Sequence, residues 1–449
     1  MLTRAPDVLG LDQDERHRQP VTAPTRATRL DAQHPGDGEA WLDLCRRWEV
    51  LQEPFLRTLF TTFPPVRGPL QLLRRIGTAE ALRLARFLLL PAKRMGEELF
   101  GGEGVRLLLA GNAVHADIPV TSPVSGAYGW LLAMLGQHFG FPVPVDGSGG
   151  LADALARRAE AAGARLHTGE RVEHVAVSGG RVRSVHTAAG TTVRVRRAVI
   201  ADVSAPTLYR DLLPPDAVPS WVHRDLDRFA WDTPVVKLDW ALDGPIPWRT
   251  PEVGGAGTVH VGRGEDGLVR WSAVIESRRL PESPFLLVGQ MTTADPSRSP
   301  AGTESAWAYT HLPRGVDDPP SADELARRAE GVLERFAPGF GARVRHRTVQ
   351  RPSDLQDADP NLVHGTINRG TAQLFQQLVF RPVPGLGRPE TPVGGLYLGS
   401  SSAHPGGGVH GACGWFAARA ALRAHGRAGL LHRAATSAVL ELLQRSGRE

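Results

Sequence analysis

The chain predicts an α/β fold joined to an α+β region, and three features predict it. A glycine-rich turn, Val143-Pro-Val-Asp-Gly-Ser-Gly-Gly150, runs straight into a helix-forming stretch rich in Ala, Leu and Arg, with several short β-type runs after it. Near the other end, Gly395-Leu-Tyr-Leu-Gly-Ser400 reads as a buried strand, which a second glycine-rich turn carries into a helix from about Gly411 to His425. Ahead of both units apolar residues recur at helical spacing, so the first part reads as mostly helical.

Taken in order, residues 1–36 mix charge, Pro and Thr without apolar periodicity and are expected to be a disordered leader. From Glu39 to Phe60, Trp41, Leu42, Cys45, Trp48, Leu51, Phe55 and Leu59 mark one helix face, and further helices are expected over 68–90 and 124–139. Residues 37–142 would then form a helical cap. A helix over 151–162 and strands at 165–168, 171–177, 181–187, 191–196 and 197–202 make up the unit 143–212, its middle strands turned by Gly179-Gly180. Over 213–380, strand-like runs at 234–242, 257–262, 284–292 and 305–311 precede a helix at 321–336 and a β run near 343–349. The C-terminal strand and helix fall within 381–430, and 431–449 would be a tail or helix. Pro-rich stretches near 313–320 and 381–392 read as surface connections, and no fixed-period repeat is visible.

Composition excludes several functions. An apolar content of 41% over 449 residues excludes wholesale disorder. The 52 Lys and Arg against 47 Asp and Glu are scattered, which argues against nucleic acid as a partner. Cys45 and Cys413 stand far apart with no ligand-spaced neighbours, so neither a disulfide framework nor a metal site is expected. The most apolar stretch, Leu82 to Leu90, is broken by Arg83 and Arg86 and is too short to span a bilayer. No secretory segment opens the chain, which predicts a soluble protein of the cytoplasm, or of the mitochondrial matrix in a eukaryote. The span Leu70–Met95, with Arg74, Arg75, Arg83, Arg86, Lys93 and Arg94, is compatible with peripheral membrane contact and equally with an ordinary wet helix face.

The chemistry concentrates in Ser401-Ser-Ala-His-Pro-Gly-Gly-Gly-Val-His-Gly411. Three consecutive glycines between a strand and a helix let backbone approach a ligand closely, and the helix N-terminus offers free N–H groups and partial positive charge. Such a place suits an anionic or electron-rich group. The same glycines would also serve a tight turn and close helix packing alone.

On these residues the chain resembles the phytoene-desaturase-like FAD-dependent oxidoreductases, particularly the branch of pyridine nucleotide-disulfide oxidoreductase domain-containing protein 2. The likeness extends through Arg388-Pro-Glu-Thr-Pro392, the turn at 143–150, Thr168-Gly-Glu-Arg-Val-Glu-His174, Gln290-Met-Thr-Thr-Ala-Asp-Pro296 and Glu304-Ser-Ala-Trp-Ala-Tyr309, roughly residues 38–425 in all. It implies FAD as cofactor. Val172 would contact the adenine and Asp202 flank the cofactor, while Gly399, Ser400, Gly406, Gly407, Gly408 and Val409 would line the flavin. NAD(P) participation is compatible with the resemblance but has no motif of its own. His410 is a candidate for hydrogen bonding the flavin or shuttling a proton, against the alternative of a helix cap. Asn368, in Asn368-Arg-Gly-Thr371, is a candidate for facing the substrate side, against that of a simple turn. His404 reads as turn-shaping, and His115 with Asp117 as a capping or surface pair.

The resemblance also sets the expected incompleteness. Its members open with a strand, a GxGxxG turn and a helix, then a second strand ending in an acidic residue, and residues 1–37 hold none of these. In the order 3-2-1-4-5 those strands are central, so a Rossmann-like (doubly wound) FAD-binding domain lacking its first two strands is expected. Beside it an α+β substrate domain with a mixed sheet is expected. A truncated record, a decayed gene and completion by a separate polypeptide would each account for this. The expected activity is hydride removal from a C–C or C–N bond of a hydrophobic or small organic substrate, with flavin as acceptor and a carotenoid desaturase or isomerase as the narrower version. A noncatalytic remnant or interaction module is the alternative, and a homo-oligomer is compatible with either.

Overall fold

The computed structural model describes residues 22–425 except 146 and 317, together with 429 and 438. The expected tail at 431–449, apart from Ala438, and residues 1–21 of the expected leader lie outside the described residues. The rest of that leader is ordered. Helix α1 (Ala23–Gln33) begins where the Thr22 hydroxyl accepts the Thr25 N–H and is held by burial of Ala27 and Leu30. Two apolar contacts on one face are too sparse a pattern to read before the partner helix is known.

That partner is α2 (Asp37–Leu59), which buries Trp41, Leu44, Trp48 and Leu51 on the stripe the periodicity marks. Helices α3 (Arg67–Leu89), α4 (Ala92–Leu99), α5 (Glu103–Val114) and α6 (Ser125–Phe139) complete the helical layer. Trp130 of α6 is the hub, meeting Trp48, Phe55 and Phe87 edge-on with centroids 5.3, 5.6 and 5.4 Å away. Gly77 at φ +77° breaks α3 into two pieces, a conformation an L side chain resists.

Helix α7 (Gly149–Ala161) follows the first glycine-rich turn and buries only Ala154. Residues 165–168, expected as a strand, pair with no strand among the described residues, and Leu166 is exposed. An antiparallel sheet then runs β1 (Val172–Ser178), β2 (Arg181–Thr187) and β3 (Thr192–Arg194), turned at Gly179 and Gly180, both at positive φ. Strand β4 (Val199–Ala201) leaves this sheet and pairs in parallel with the distant β10 (Leu396–Leu398), in register Ile200 to Tyr397. Helix α8 (Ser220–Leu226) and Leu208, Tyr209 and Leu212 pack beneath, around Val175, Leu396 and Leu398.

The second sheet has five strands in the order β6 (Thr258–Val261), β7 (Leu286–Gln290), β8 (Glu304–His311), β5 (Val235–Leu242), β9 (Val344–Gln350). Every pairing is antiparallel, so the expected mixed sheet is corrected. The reason lies in the β6–β7 connection. Helix α9 (Gly264–Glu276), which the sequence reading passed over, packs against α5 rather than across the sheet, so the chain re-enters reversed. On one sheet face Val236, Leu238, Trp240 and Leu242 pack with α10 (Pro319–Phe336), whose Ala322, Leu325, Ala326, Ala329, Val332 and Leu333 form a helical stripe. Asp318 caps α10, accepting the Ser321 N–H at 2.9 Å. The opposite face carries Lys237, Asp239, Trp307, Tyr309 and His311.

Candidate functional site

The parallel pair β4–β10 delivers two segments to one end. After β4 come Asp202-Val-Ser204, and after β10 come Gly399, Ser400 and the glycine-rich turn, which leads into α11 (Ala412–Arg423). Ligands of open α/β sheets gather at such carboxyl ends. Ser402 ties the two together: its hydroxyl accepts the Ala205 N–H at 3.1 Å and donates to the Arg369 carbonyl at 2.7 Å. At Gly399 a Cβ would stand 2.7 Å from Ile200, so only glycine lets the strands close there. Ser400 is buried beside them.

The glycine-rich turn meets a third segment, residues 367–371. A Cβ on Gly407 would fall 2.4 Å from the Asn368 side-chain oxygen, so the amide lies directly on the turn's backbone. Asn368 Nδ2 donates to Asp117 at 2.6 Å, and the other carboxylate oxygen accepts His311 Nε2 at 2.7 Å. Both residues of that contact are almost fully buried. Asp117 and Arg369 hold φ of +57° and +53°, a left-handed conformation that costs a non-glycine residue about a kcal/mol or more and collects at functional sites.

Two buried charges fix the segment. Asp232 accepts N–H groups of Ile367, Asn368 and Gly370 at 2.8, 2.7 and 3.0 Å, and burial, then the nearby Asp117, pushes its carboxyl above the usual carboxylate range. The Arg381 guanidinium, 1% exposed, donates to the carbonyls of Asn368, Gly370, Thr371 and Ser401. Arg381 thus joins the 367–371 segment to the glycine-rich unit. Nothing in the one-dimensional pattern marks Asp232, His311 or Arg381, because their partners lie on other elements.

The remaining candidates are placed as follows. His410 Nδ1 accepts the Ala412 N–H at 3.0 Å and its ring meets Phe60 edge-on, so it caps α11; burial lowers its pKa. Gly406 is buried against Arg381, Gly408 takes φ +138°, and Val409 is 95% exposed. Asp202 is exposed and bonds Arg369. Val172 opens β1, half exposed. His404 is buried in stacked contact with Phe416. Asp117, expected as a capping or surface residue, is instead buried. His115 pairs with His260 at 3.3 Å.

The family described as flavin containing amine oxidoreductase matches residues 17–422. The chain belongs to that flavin-containing family. Pyridine nucleotide-disulfide oxidoreductase domain-containing protein 2 of Rattus norvegicus is 30% identical over 356 residues, which cover 74% of this chain and 60% of that protein. Phytoene desaturase (neurosporene-forming) of Rhodobacter capsulatus is 24% identical over 295 residues, 62% of this chain and 53% of that one. The chain therefore spans less than two thirds of these relatives. Among solved structures, a redesigned putrescine oxidase is similar with a TM-score of 0.55 at 15% identity, covering 94% of this chain and 84% of that one. That likeness shows a shared mixed α/β fold. The family is one of FAD-dependent oxidoreductases, and this chain is a member of it.

The residues present fit one end of FAD. The turn at Gly406–Gly408, closed against Asn368 and backed by α11, is a backbone cradle of the kind a flavin ring edge requires. For the pyrophosphate end, no strand, glycine turn and helix that passes on to a second parallel strand occurs among the described residues. GxGxxG spacing does occur twice beyond the opening stretch, at 262–267 and 406–411. The first lies between antiparallel β6 and β7, and the second links β10, parallel to β4, to α11 with no strand after that helix among the described residues, so neither builds the parallel crossover that cradles a dinucleotide.

Proposed function

We propose that the chain carries the substrate-facing part of an FAD-dependent oxidoreductase that removes hydride from a small, apolar substrate. The observation that carries the reading is the position of Asn368, set between Gly407 of the glycine-rich turn and the buried Asp117. When bound, the flavin supplies the hydride acceptor. The chain's own residues hold and orient. Arg381 and Asp232 fix 367–371, the glycines bring backbone to the ring edge, and the Lys237, Asp239, Trp307 and Tyr309 face of the second sheet supplies an aromatic, partly charged wall. In this reading the strands that grip the pyrophosphate come from polypeptide beyond residues 22–425, beside the edge of β4 that pairs with no strand among the described residues. A desaturase of polyenes is the narrower version, supported by likeness to the Rhodobacter capsulatus enzyme alone.

The test is to purify the chain, denature it and measure FAD in the supernatant, alone and after adding a strand–glycine turn–helix–strand segment from the matched rat relative. FAD only with the added segment is the expected result. Stoichiometric FAD without it would overturn the completion by further strands. No FAD in either arm would favour the second reading, a noncatalytic interaction module, for which the exposed Ile200 of β4 is the specific support.

A further inference from the structure

Between the antiparallel sheet and the parallel pair the chain runs Arg194-Val-Arg-Arg197, three guanidinium groups within four residues. With Val185, Val193, Val195 and Val199 they line a groove of about 660 Å³ at the start of β4. All three arginines are exposed, and none makes a hydrogen bond or ion pair among the described residues. No carboxylate lines the groove among those residues either. Like charges this close repel one another, and a carboxylate held by the planar guanidinium fork relieves the repulsion.

The groove adjoins an open strand edge. Towards β10 the Val199 N–H donates to the Gly395 carbonyl and the Ala201 carbonyl accepts the Gly399 N–H, both at 2.9 Å. Bonds to β10 therefore leave from residues 199 and 201, and the peptide groups of Ile200 between them face the other edge, where β4 pairs with no strand among the described residues. A strand added there in the parallel sense that β4 and β10 already set would start level with Val199 and run towards Asp202. The residues just ahead of it would cross Arg194, Arg196 and Arg197.

We propose that this groove receives the acidic lead of a polypeptide strand that pairs in parallel with β4. The guanidinium forks hold carboxylates ahead of the strand, the valines take an apolar side chain at its start, and main-chain bonds to Ile200 carry the pairing. A small free anion would leave the valine floor and the strand edge unused. Nucleic acid finds no aromatic ring among the lining residues on which to stack a base, and a bilayer does not reach into a concave groove. The proposal rests on the reading that further strands stand beside β4, and it adds the chemistry of their entry.

The experiment titrates the full chain into fluorescent peptides and reads anisotropy at about 50 mM salt, where exposed charges are weakly screened. The test peptide is Asp-Glu-Asp-Val-Thr-Ile-Val-Thr; one control replaces its acidic lead by Lys-Lys-Lys, and a second keeps the lead and replaces the strand by Gly-Ser repeats. The acidic strand peptide is expected to bind about tenfold more tightly than the lysine-led one, the worth of a few exposed ion pairs, and hydrogen exchange at the Ile200 amide is expected to slow in the complex. In the triple variant Arg194→Glu, Arg196→Glu, Arg197→Glu the order of the two peptides inverts. These positions are exposed, so the variant keeps the wild-type melting curve. Equal binding of the acidic and lysine-led peptides overturns the proposal. So does equal binding of the Gly-Ser control, which would make the groove a site for simple anions, or displacement of the peptide by polyuridylate. An acidic peptide that does not bind at all ends it too, with a second copy of the chain as the occupant if the protein runs as a dimer. FAD content, measured with the completing segment added, separates the two readings. The expected charge preference without FAD in any sample tells against the flavin reading alone, and FAD uptake without that preference tells against the acidic lead alone.

Discussion

At the scale of single residues, Arg381 bears the most. Its guanidinium serves four carbonyls from two segments, and a lysine ammonium has neither the planar fork nor enough donors to replace it. Arg381→Lys is expected to cost about 3–5 kcal/mol, the usual penalty for stranding a buried polar set, measured by urea unfolding. Gly407→Ala places a methyl 2.4 Å from the Asn368 oxygen and should destabilise by about 1–3 kcal/mol through overpacking. A Gly407→Ala protein with wild-type melting and an unmoved Asn368 would remove the turn's claim to hold that amide. His260 supplies a pH signature. Burial, then His115, pulls its pKa down to about 4 from 6.5, so the unfolded chain binds its proton more readily than the folded one. Its contribution is present above pH about 6.5 and is lost as pH falls towards about 4. Stability should drop across that window, and His260→Phe should flatten the drop in urea titrations at successive pH values.

At the scale of elements, the contrast is between the two parallel strands and the five antiparallel ones. Strand β5 is paired on both sides, whereas β4 pairs with β10 alone among the described residues, and Ile200 at its centre is 44% exposed. Leu155 of α7 and Leu166 are each 52% exposed, in the unit that the doubly wound order places across from β4. Unpaired edges flanked by apolar side chains invite association. Ile200→Lys should therefore lower self-association in size-exclusion chromatography while leaving the melting temperature within about 2 °C, because a surface change away from packed groups costs little. Unchanged association would locate the sticky surface elsewhere, with exposed Trp415 of α11 the next place to look. No helix among the described residues is long and apolar enough to cross a membrane.

At the scale of the whole molecule, helical layer, five-stranded sheet and parallel pair converge on the segment 367–371, and the similarity to the putrescine oxidase structure is a likeness of fold. Most elements were legible beforehand, since α2, α6, α10 and all ten strands fall where the residues' own apolar pattern places them. The glycine-rich turn was legible too, because a run of glycines advertises close backbone approach wherever it lies. Strand 165–168 was not, as β propensity makes a strand only where a neighbour accepts its hydrogen bonds. Helix α9 escaped because its apolar face matches α5, which is far away in sequence. By itself the sequence determined the element types, the glycine-rich turn at 406–408 and the membership of Asn368 in a turn, all matters of local period and backbone freedom. Only the tertiary structure decided that Asp117, Asp232, His311 and Arg381 gather around that turn and segment 367–371. Their burial and pairing are long-range contacts, and no local pattern distinguishes a carboxylate that will face water from one that will face a histidine 194 positions away.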